Sequence, residues 1–268
     1  MKKIKKKIGK VYRDVLLFND TLLQVIDKRK TGAKALVLLY HRVNNLPYDP
    51  LMLSVSPENF EEHLIILKKH FDIISTPELI SRLSSNSLKG NELSITFDDG
   101  YKDNLTYALP IAEKYGIPIT IFITTSILDE NNQLPWDKDY KNHQAYLTTK
   151  DIETLSMNDL VTIGSHTLNH PRLRDLLKEN QYFEMKKSKE VLQNITKKNI
   201  DIMAYPYGGH LDWNNGTLES AKLSGYKSAF TTIKRLITTN SNRFKLPRIN
   251  IRNVSADELI EDLLNLIN

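Results

Sequence analysis

Cysteine is absent from this chain of 268 residues, and tryptophan occurs only twice. Without cysteine the protein can form no disulfide and offers no thiolate, so a zinc site built on cysteine ligands is excluded. A reducing compartment fits this composition without being required by it. A metal site built from histidine and carboxylate ligands remains open.

Long apolar runs are lacking as well, most notably in the lysine-rich first thirty residues. No unbroken apolar stretch of about seven to fifteen residues follows these lysines, so we expect neither a signal peptide nor a spanning helix, and a cytoplasmic location. Apolar residues at helical spacing instead predict a basic amphipathic helix over residues 1–30. This helix could pack against the domain or a partner, or residues 1–28 could make peripheral contact with an anionic membrane surface.

The net charge of +5 is concentrated at the start of the chain, where six of the first ten residues are lysines. Hydrophobic residues make up 40% of the chain and charged residues 26%, which is ordinary for a soluble globular protein. Nucleic-acid binding is not predicted, because no stripe of interleaved basic and aromatic residues accompanies the lysines.

From residue 31 onward, short apolar runs alternate with segments of helical periodicity, and no repeat or linker interrupts them. Helices are expected over residues 57–70, from residue 76, and over residues 103–115, about 179–196, 215–223 and 255–267, the first two because a serine and a proline mark their starts. This alternation predicts one α/β domain over residues 31–268. In such a domain the active residues lie at the carboxyl ends of the strands. Polar residues that directly follow apolar runs are therefore the candidates for a functional site.

Two adjacent carboxylates follow one of these runs, in Thr96-Phe97-Asp98-Asp99-Gly100. Gly100 can adopt a positive φ, which would turn both acids into one pocket. Because close carboxylates repel each other, an arginine, a metal or a shared proton is expected beside them. The alternative is an ordinary polar turn after a strand, since Asp-Gly is also a turn signal.

Two histidines follow another run, in Ser165-His166-Thr167-Leu168-Asn169-His170. Spaced four residues apart, they can share one face of the turn at a separation suited to one metal ion. Two imidazoles and a carboxylate make a three-ligand site with open positions, and Asp99 is the obvious carboxylate. Metal binding by Asp99 would leave Asp98 free to act as a base. The competing interpretation is two surface histidines in a polar turn.

Three further segments carry weaker signals. His41 directly follows the run 35–40, where a lone histidine is more often a core residue than a catalyst. The turn 205–208 contains a proline and a glycine that fix an irregular backbone, which could aim an amide N–H at a developing negative charge or could simply be a turn. The aperiodic loop 124–146 contains Trp136, which could stack on a sugar ring or anchor the loop.

Together these segments resemble the polysaccharide deacetylase family, the carbohydrate esterases with a NodB-like homology domain. Residues 96–100 match its first motif, residues 165–170 its second and residues 205–208 most of its third. The resemblance implies a distorted (β/α) barrel of about seven strands. It also implies a divalent metal, with zinc favoured and cobalt, nickel or manganese as alternatives. The implied roles are general base for Asp98, metal ligand for Asp99, His166 and His170, and oxyanion donor for the backbone N–H of Tyr207.

The sequence departs from the family pattern in two places. Ala204 stands where an arginine usually orients the base, and no histidine follows His210 to supply the usual late acid. However, residues 39–42 resemble the circularly permuted branch that acts on poly-N-acetylglucosamine, in which the acid comes from the N-terminal strand. We therefore expect His41 to be the general acid, with His210 as its rival, and Arg248 to substitute as the residue that orients Asp98.

The activity implied by the resemblance is hydrolysis of an N-acetyl group on an amino sugar in a glycan or lipid-linked saccharide, which gives a free amine and acetate. Two alternatives remain open from the sequence. The chain could deformylate a lipid-linked amino sugar, or it could be a non-catalytic carbohydrate-binding relative, because Ala204 removes one part of the usual catalytic arrangement.

Overall fold

The computed structural model describes residues 33–130, 132–137 and 146–267. The amphipathic helix predicted over residues 1–30 lies outside the described residues. Its contact with a membrane therefore stays a prediction, as does the division of the chain into this helix and a domain over residues 31–268. Within the described residues, no helix combines the length and apolar character that crossing a membrane requires.

The strands of the described part form one large curled sheet and one small pair, β2 with β3. In chain order they are β1 (Lys34–Tyr40), β2 (Arg42–Val43), β3 (Ser54–Val55), β4 (Asp72–Ile73), β5 (Glu92–Phe97), β6 (Ile119–Ile123), β7 (Val161–Ser165), β8 (Ile202–Ala204), β9 (Ser228–Phe230), β10 (Ile237–Thr238) and β11 (Ile249–Asn250). The order in the large sheet is β10-β1-β5-β6-β7-β8-β9, with β4 beside β5 and β11 beside β1. Its pairings are parallel except that of β10 with β1.

The two ends of the curled sheet are joined by the segment 246–250. Leu246 forms a parallel bridge with Phe230 of β9, and Ile249 pairs with Leu38 of β1. The predicted distorted (β/α) barrel is therefore confirmed, and Arg248 lies in the segment that closes it. Because the strands are parallel, their carboxyl ends share one rim, where functional residues of such barrels are found.

Seven α-helices accompany the strands in the described part. They are α1 (Pro57–His70), α2 (Thr76–Ser84), α3 (Leu109–Tyr115), α4 (Thr149–Ser156), α5 (Lys178–Thr196), α6 (Asn215–Leu223) and α7 (Ala256–Ile267). The predicted starts of α1 and α2 are confirmed, since Ser56 and Ser75 accept hydrogen bonds from backbone amides of the first turn and a proline follows each cap. No helix is predicted where α4 lies, and a π-helical turn over Asn104–Ala108 replaces the expected regular start of α3.

An aromatic cluster packs beneath the rim. The rings of Tyr40, Phe60 and Phe97 have centroids 5.3–5.6 Å apart, and all three side chains are buried. Tyr40 and Phe97 are paired neighbours on β1 and β5. Each is the last residue of its strand, so the rigid core ends directly below His41 and Asp98.

Candidate active site

The two adjacent carboxylates lie at the carboxyl end of β5, and both are buried with 2% exposure. Gly100 has the expected positive φ of 94°, but Asp99 also adopts a left-handed φ of 76°. A residue with a side chain occupies this region at a cost, and such strain concentrates at functional sites. The turn gives the two carboxylates different surroundings.

The two histidines occupy the loop that follows β7. The amide of His166 donates to Ile123 O at 2.8 Å, which holds His166 level with the end of β6. His170 and Thr167 have φ values of 57° and 68°, so the loop turns sharply and returns the second imidazole to the first. The ring centroids of His166 and His170 lie 4.8 Å apart.

The two imidazoles converge on Asp99. Nε2 of His166 lies 3.5 Å from Asp99 Oδ1, and Nε2 of His170 lies 3.4 Å from the same oxygen. Candidate ligand atoms of the three residues all fall within 4.8 Å of one another, and all three residues are buried. The structure thus brings together the three residues that the sequence analysis selected as ligands.

The protonation of His166 suits metal binding. Its Nδ1 lies 2.9 Å from the carbonyl oxygen of Ala204, which can only accept a hydrogen bond. The proton is therefore on Nδ1, and the lone pair of Nε2 faces Asp99. A backbone carbonyl that fixes the tautomer in this way is a common outer partner of a metal-binding histidine. Burial lowers the pKa of His166 and of His170, which also favours the neutral imidazoles that a metal requires.

Asp99 lacks a hydrogen-bond donor of its own among the described residues. A buried carboxylate without donors is costly, and burial together with the nearby charges of Asp98 and Asp137 raises its pKa well above the usual value. A divalent cation at this position would remove the cost. The ligand spacing also fits, since two ligands of tetrahedral zinc lie about 3.3 Å apart for bonds of about 2.0 Å.

Replacing Asp99 by asparagine should stabilise the protein at pH 7 when the metal has been removed. Because the pKa of Asp99 is raised in the folded state, its ionisation weakens the fold as pH rises above about 4, and the neutral amide avoids that loss. Each kcal/mol gained would raise Tm by about 2–4 °C. Thermal unfolding in chelator measures this. Added zinc should then stabilise the wild type but not the variant, and an equal or lower Tm of the metal-free variant would contradict the assignment.

Asp98 is held by Arg248 in a two-pronged ion pair. Nη1 and Nη2 of Arg248 donate to the two carboxylate oxygens at 2.7 and 2.6 Å. The guanidinium is fully buried and also donates to Thr96 Oγ1 and to the carbonyl of Thr231. Burial alone would raise the pKa of Asp98, but the charge and hydrogen bonds of Arg248, together with the nearby His166 and His41, outweigh it and lower the pKa to about 2. Asp98 is therefore ionised at neutral pH, as a general base must be.

The two candidate acids lie in different surroundings. His41 follows β1 beside the end of β5, because Asp98 N donates to Tyr40 O at 3.0 Å. Desolvation lowers the pKa of His41 to about 4, and the charge of Asp98 opposes this shift. His210 is exposed in the loop after β8. The geometry thus places His41, rather than His210, within electrostatic reach of Asp98.

Tyr207 lies in the loop after β8 with a left-handed φ of 60°. Within the described part of the chain, its backbone N–H has no acceptor. Tyr207 is 42% exposed, and its ring packs edge-on against His170 with centroids 4.8 Å apart. A free amide at this position fits the predicted role of oxyanion donor.

Trp136 both anchors its loop and borders the site. Its Nε1 donates to the hydroxyl of Tyr101 at 2.9 Å, and Tyr101 in turn donates to Asp137 at 2.8 Å. The indole ring also meets His170 edge-on at 5.0 Å. The two interpretations of Trp136 in the sequence analysis are therefore compatible, since a tethered ring still forms one wall of the site.

Two carboxylates that the sequence analysis did not select also support the site. Glu184 of α5 accepts from the amide and the side chain of Asn169, at 2.8 and 2.7 Å, and so braces the loop between the two histidines. Asp137 accepts from the hydroxyls of Tyr101 and Tyr146 and fixes the loop that carries Trp136. Neither acid lies at a strand end, the position on which the sequence analysis relied.

Residues 85–229, more than half of the chain, match the protein family described as polysaccharide deacetylase. The chain belongs to this family. The matched region extends from before β5 to β9 and includes Asp98, Asp99, His166, His170 and Tyr207. His41 and Arg248 lie on either side of it. Deacetylases of this family are metal-dependent hydrolases, in agreement with the cluster of one aspartate and two histidines.

Individual relatives cover most of the chain. A poly-beta-1,6-N-acetyl-D-glucosamine N-deacetylase of Staphylococcus aureus is 29% identical over 251 residues, which span 85% of this chain and 82% of that protein. The structure of the Streptococcus pyogenes deacetylase PplD in complex with acetate is 28% identical, with a TM-score of 0.73 over 89% of this chain and all of that one. IcaB from Ammonifex degensii, at 20% identity, shares the fold with a TM-score of 0.74 over 86% of this chain and 97% of that one.

Proposed function

We propose that this polysaccharide deacetylase hydrolyses the N-acetyl group of amino sugars in a glycan, releasing acetate and leaving a free amine. The observation that carries the proposal is the convergence of Asp99, His166 and His170 beside a second carboxylate, Asp98, that is kept ionised by Arg248. A metal site next to a separate base is what metal-assisted hydrolysis of an amide requires.

In the proposed mechanism, each of these residues has a separate role. Asp98 removes a proton from the attacking water while Arg248 holds the carboxylate in place. The backbone N–H of Tyr207 donates to the oxyanion that forms from the carbonyl oxygen. A divalent ion held by Asp99, His166 and His170 supplies Lewis acidity when bound.

The leaving amine needs a proton as the carbon–nitrogen bond breaks, and we assign its delivery to His41. Because its pKa is lowered to about 4, His41 is neutral in the resting site at pH 7. We therefore assign to His41 the transfer of the proton that Asp98 takes from water to the amine, since the backbones of His41 and Asp98 lie side by side where β1 and β5 end. Water is thereby divided between the products, with hydroxyl on the acetyl carbon and hydrogen on the amine.

Exchanging each candidate acid for alanine should separate His41 from His210. His41→Ala should lower kcat by about 10²–10⁴-fold, the usual contribution of a positioned proton donor. His210→Ala should stay within about twofold of the wild type, because His210 is exposed whereas Asp98 is buried. Steady-state kinetics of acetate release measure both. A large loss in the His210 variant alone would reverse the assignment.

Zinc is the ion that we propose for the site. Histidine nitrogen and aspartate oxygen are common zinc ligands, and the separations of 3.4 and 3.5 Å between Nε2 and Oδ1 atoms fit a tetrahedral ion. Cobalt, nickel and manganese prefer related ligands and are the alternatives. Elemental analysis of the purified protein, followed by reconstitution of the chelated protein with each ion, tests this proposal. Full activity with manganese and none with zinc would contradict it.

The proposed substrate is a polymer of N-acetylglucosamine, as the name of the staphylococcal relative states for that protein. The site supports a sugar substrate, because the half-exposed ring of Tyr207 and the tethered ring of Trp136 flank His170. Flat aromatic faces of this kind pack well against pyranose rings. Acetate release from β-1,6-linked oligomers, with β-1,4-linked oligomers as comparison, tests the proposal. Acetate from neither polymer would contradict it.

A further inference from the structure

A buried carboxylate outside the proposed catalytic set connects two loops of the site. Asp212 lies in the loop after β8 and is 9% exposed. Its Oδ1 accepts from Arg172 Nε at 2.8 Å, and its Oδ2 accepts from the amide of Gly209, also at 2.8 Å. Arg172 follows His170 by two residues, and Gly209 follows Tyr207 by two residues.

The backbone of Asp212 makes the same connection. Its amide donates to the carbonyl of Gly209 at 3.1 Å, within the loop after β8. Its carbonyl accepts from the amide of Arg174 at 3.1 Å, which belongs to the loop after β7. Oδ1 and the carbonyl of Asp212 therefore hold the loop after β7, while Oδ2 and the amide fix Asp212 within its own loop.

The two loops need such a restraint. His170 and Tyr207 both have left-handed φ values, 57° and 60°, that residues with side chains adopt only when their surroundings impose them. Gly208, between Tyr207 and Gly209, lies so close to Thr232 that an added Cβ would sit 2.8 Å from the Thr232 amide nitrogen. The guanidinium of Arg172 also lies over the ring of Tyr207, 5.4 Å from its centroid.

We propose that Asp212 is a positioning residue that fixes the amide of Tyr207 relative to the metal ligand His170. The inference rests on the proposed function, because Tyr207 acts there as oxyanion donor. The position of the Tyr207 N–H relative to the metal ligands affects stabilisation of the oxyanion in the transition state. It has little effect on binding of the substrate, whose N-acetyl group is still uncharged. Weakening the contacts of Asp212 between the two loops should therefore reduce kcat and leave KM nearly unchanged.

The test compares Asp212→Asn with Asp175→Asn. Asparagine keeps the size of the side chain but loses the charge that binds Arg172. We expect kcat to fall about 10- to 100-fold with KM within about twofold, since small misplacements in an active site have effects of this size. Bound metal should stay at the wild-type ratio. Asp175 is exposed in the same region, so its variant should match the wild type.

Hydrogen exchange provides a readout that does not depend on turnover. In Asp212→Asn, backbone amides of residues 166–174 and 205–212 should exchange faster, while those of α1 and β5 stay unchanged. Unchanged exchange in the two loops, or loss of metal together with kcat, would overturn the proposal. If the wild type released no acetate, the proposed function would fail, and the exchange data would still decide whether Asp212 fixes the loops.

Discussion

Asp98→Asn should lower kcat by about 10²–10⁴-fold and leave the metal bound. The amide cannot accept the proton of the attacking water, and this range is what a general base ordinarily contributes. Asp98 is not among the three converging ligands, so the metal-to-protein ratio should equal that of the wild type. Acetate release and elemental analysis on the same preparation measure both quantities.

The substitution also leaves Arg248 without a charged partner, which affects folding. Breaking a buried ion pair on one side costs about 3–5 kcal/mol, so thermal unfolding must establish that the variant is folded at the assay temperature. Asp72→Asn is a control away from the site, because Asp72 also pairs with an arginine, Arg82, near the amino ends of the strands, in a more exposed setting. Wild-type turnover in a folded Asp98→Asn protein would rule out Asp98 as the base.

His166→Ala and His170→Ala should each abolish activity together with metal binding. Each substitution removes one of the three protein ligands and leaves Asp99 and a single histidine, which are too few to hold the ion. We expect less than one tenth of the wild-type metal content after dialysis, and kcat lowered by at least about 10³-fold.

His63→Ala provides a buried histidine for comparison. His63 contacts Tyr40 and the carbonyl of Val254 and lies outside the ligand cluster. This variant should lose stability but retain metal, which separates the effect of a missing ligand from that of a weakened core. Stoichiometric metal in both His166→Ala and His170→Ala would contradict the proposed ligand set.

The sequence was most informative where local rules decide the outcome. The bounds of Pro57–His70 and Asn215–Leu223 agree with the predicted helices, because caps and first-turn residues mark them. The missed helix Thr149–Ser156 also has a capping box, formed by Thr148 and Asp151. It is only eight residues long and follows an aperiodic loop, so helical periodicity alone did not reveal it.

The candidate site likewise has residues that local sequence patterns predict and features that only the complete fold determines. Adjacent residues after apolar runs identify Asp98, Asp99, His166 and His170, because parallel strands bring their carboxyl ends together. The contact of Arg248 with Asp98 is expected only as a substitute for the arginine missing at Ala204, because it joins residues 150 positions apart and depends on how the barrel closes. The left-handed conformations of Asp99, His170 and Tyr207 are likewise imposed by the fold, since no local rule assigns them to residues other than glycine.

The closing segment 246–250 has a consequence for how the enzyme matures. All three candidate metal ligands precede residue 171, whereas the guanidinium that pairs with the base arrives with the last segment of the barrel. A chain emerging from the ribosome thus presents its imidazoles and Asp99 well before Asp98 acquires its partner. The ion pair that keeps Asp98 ionised therefore forms only when the segment 246–250 closes the barrel.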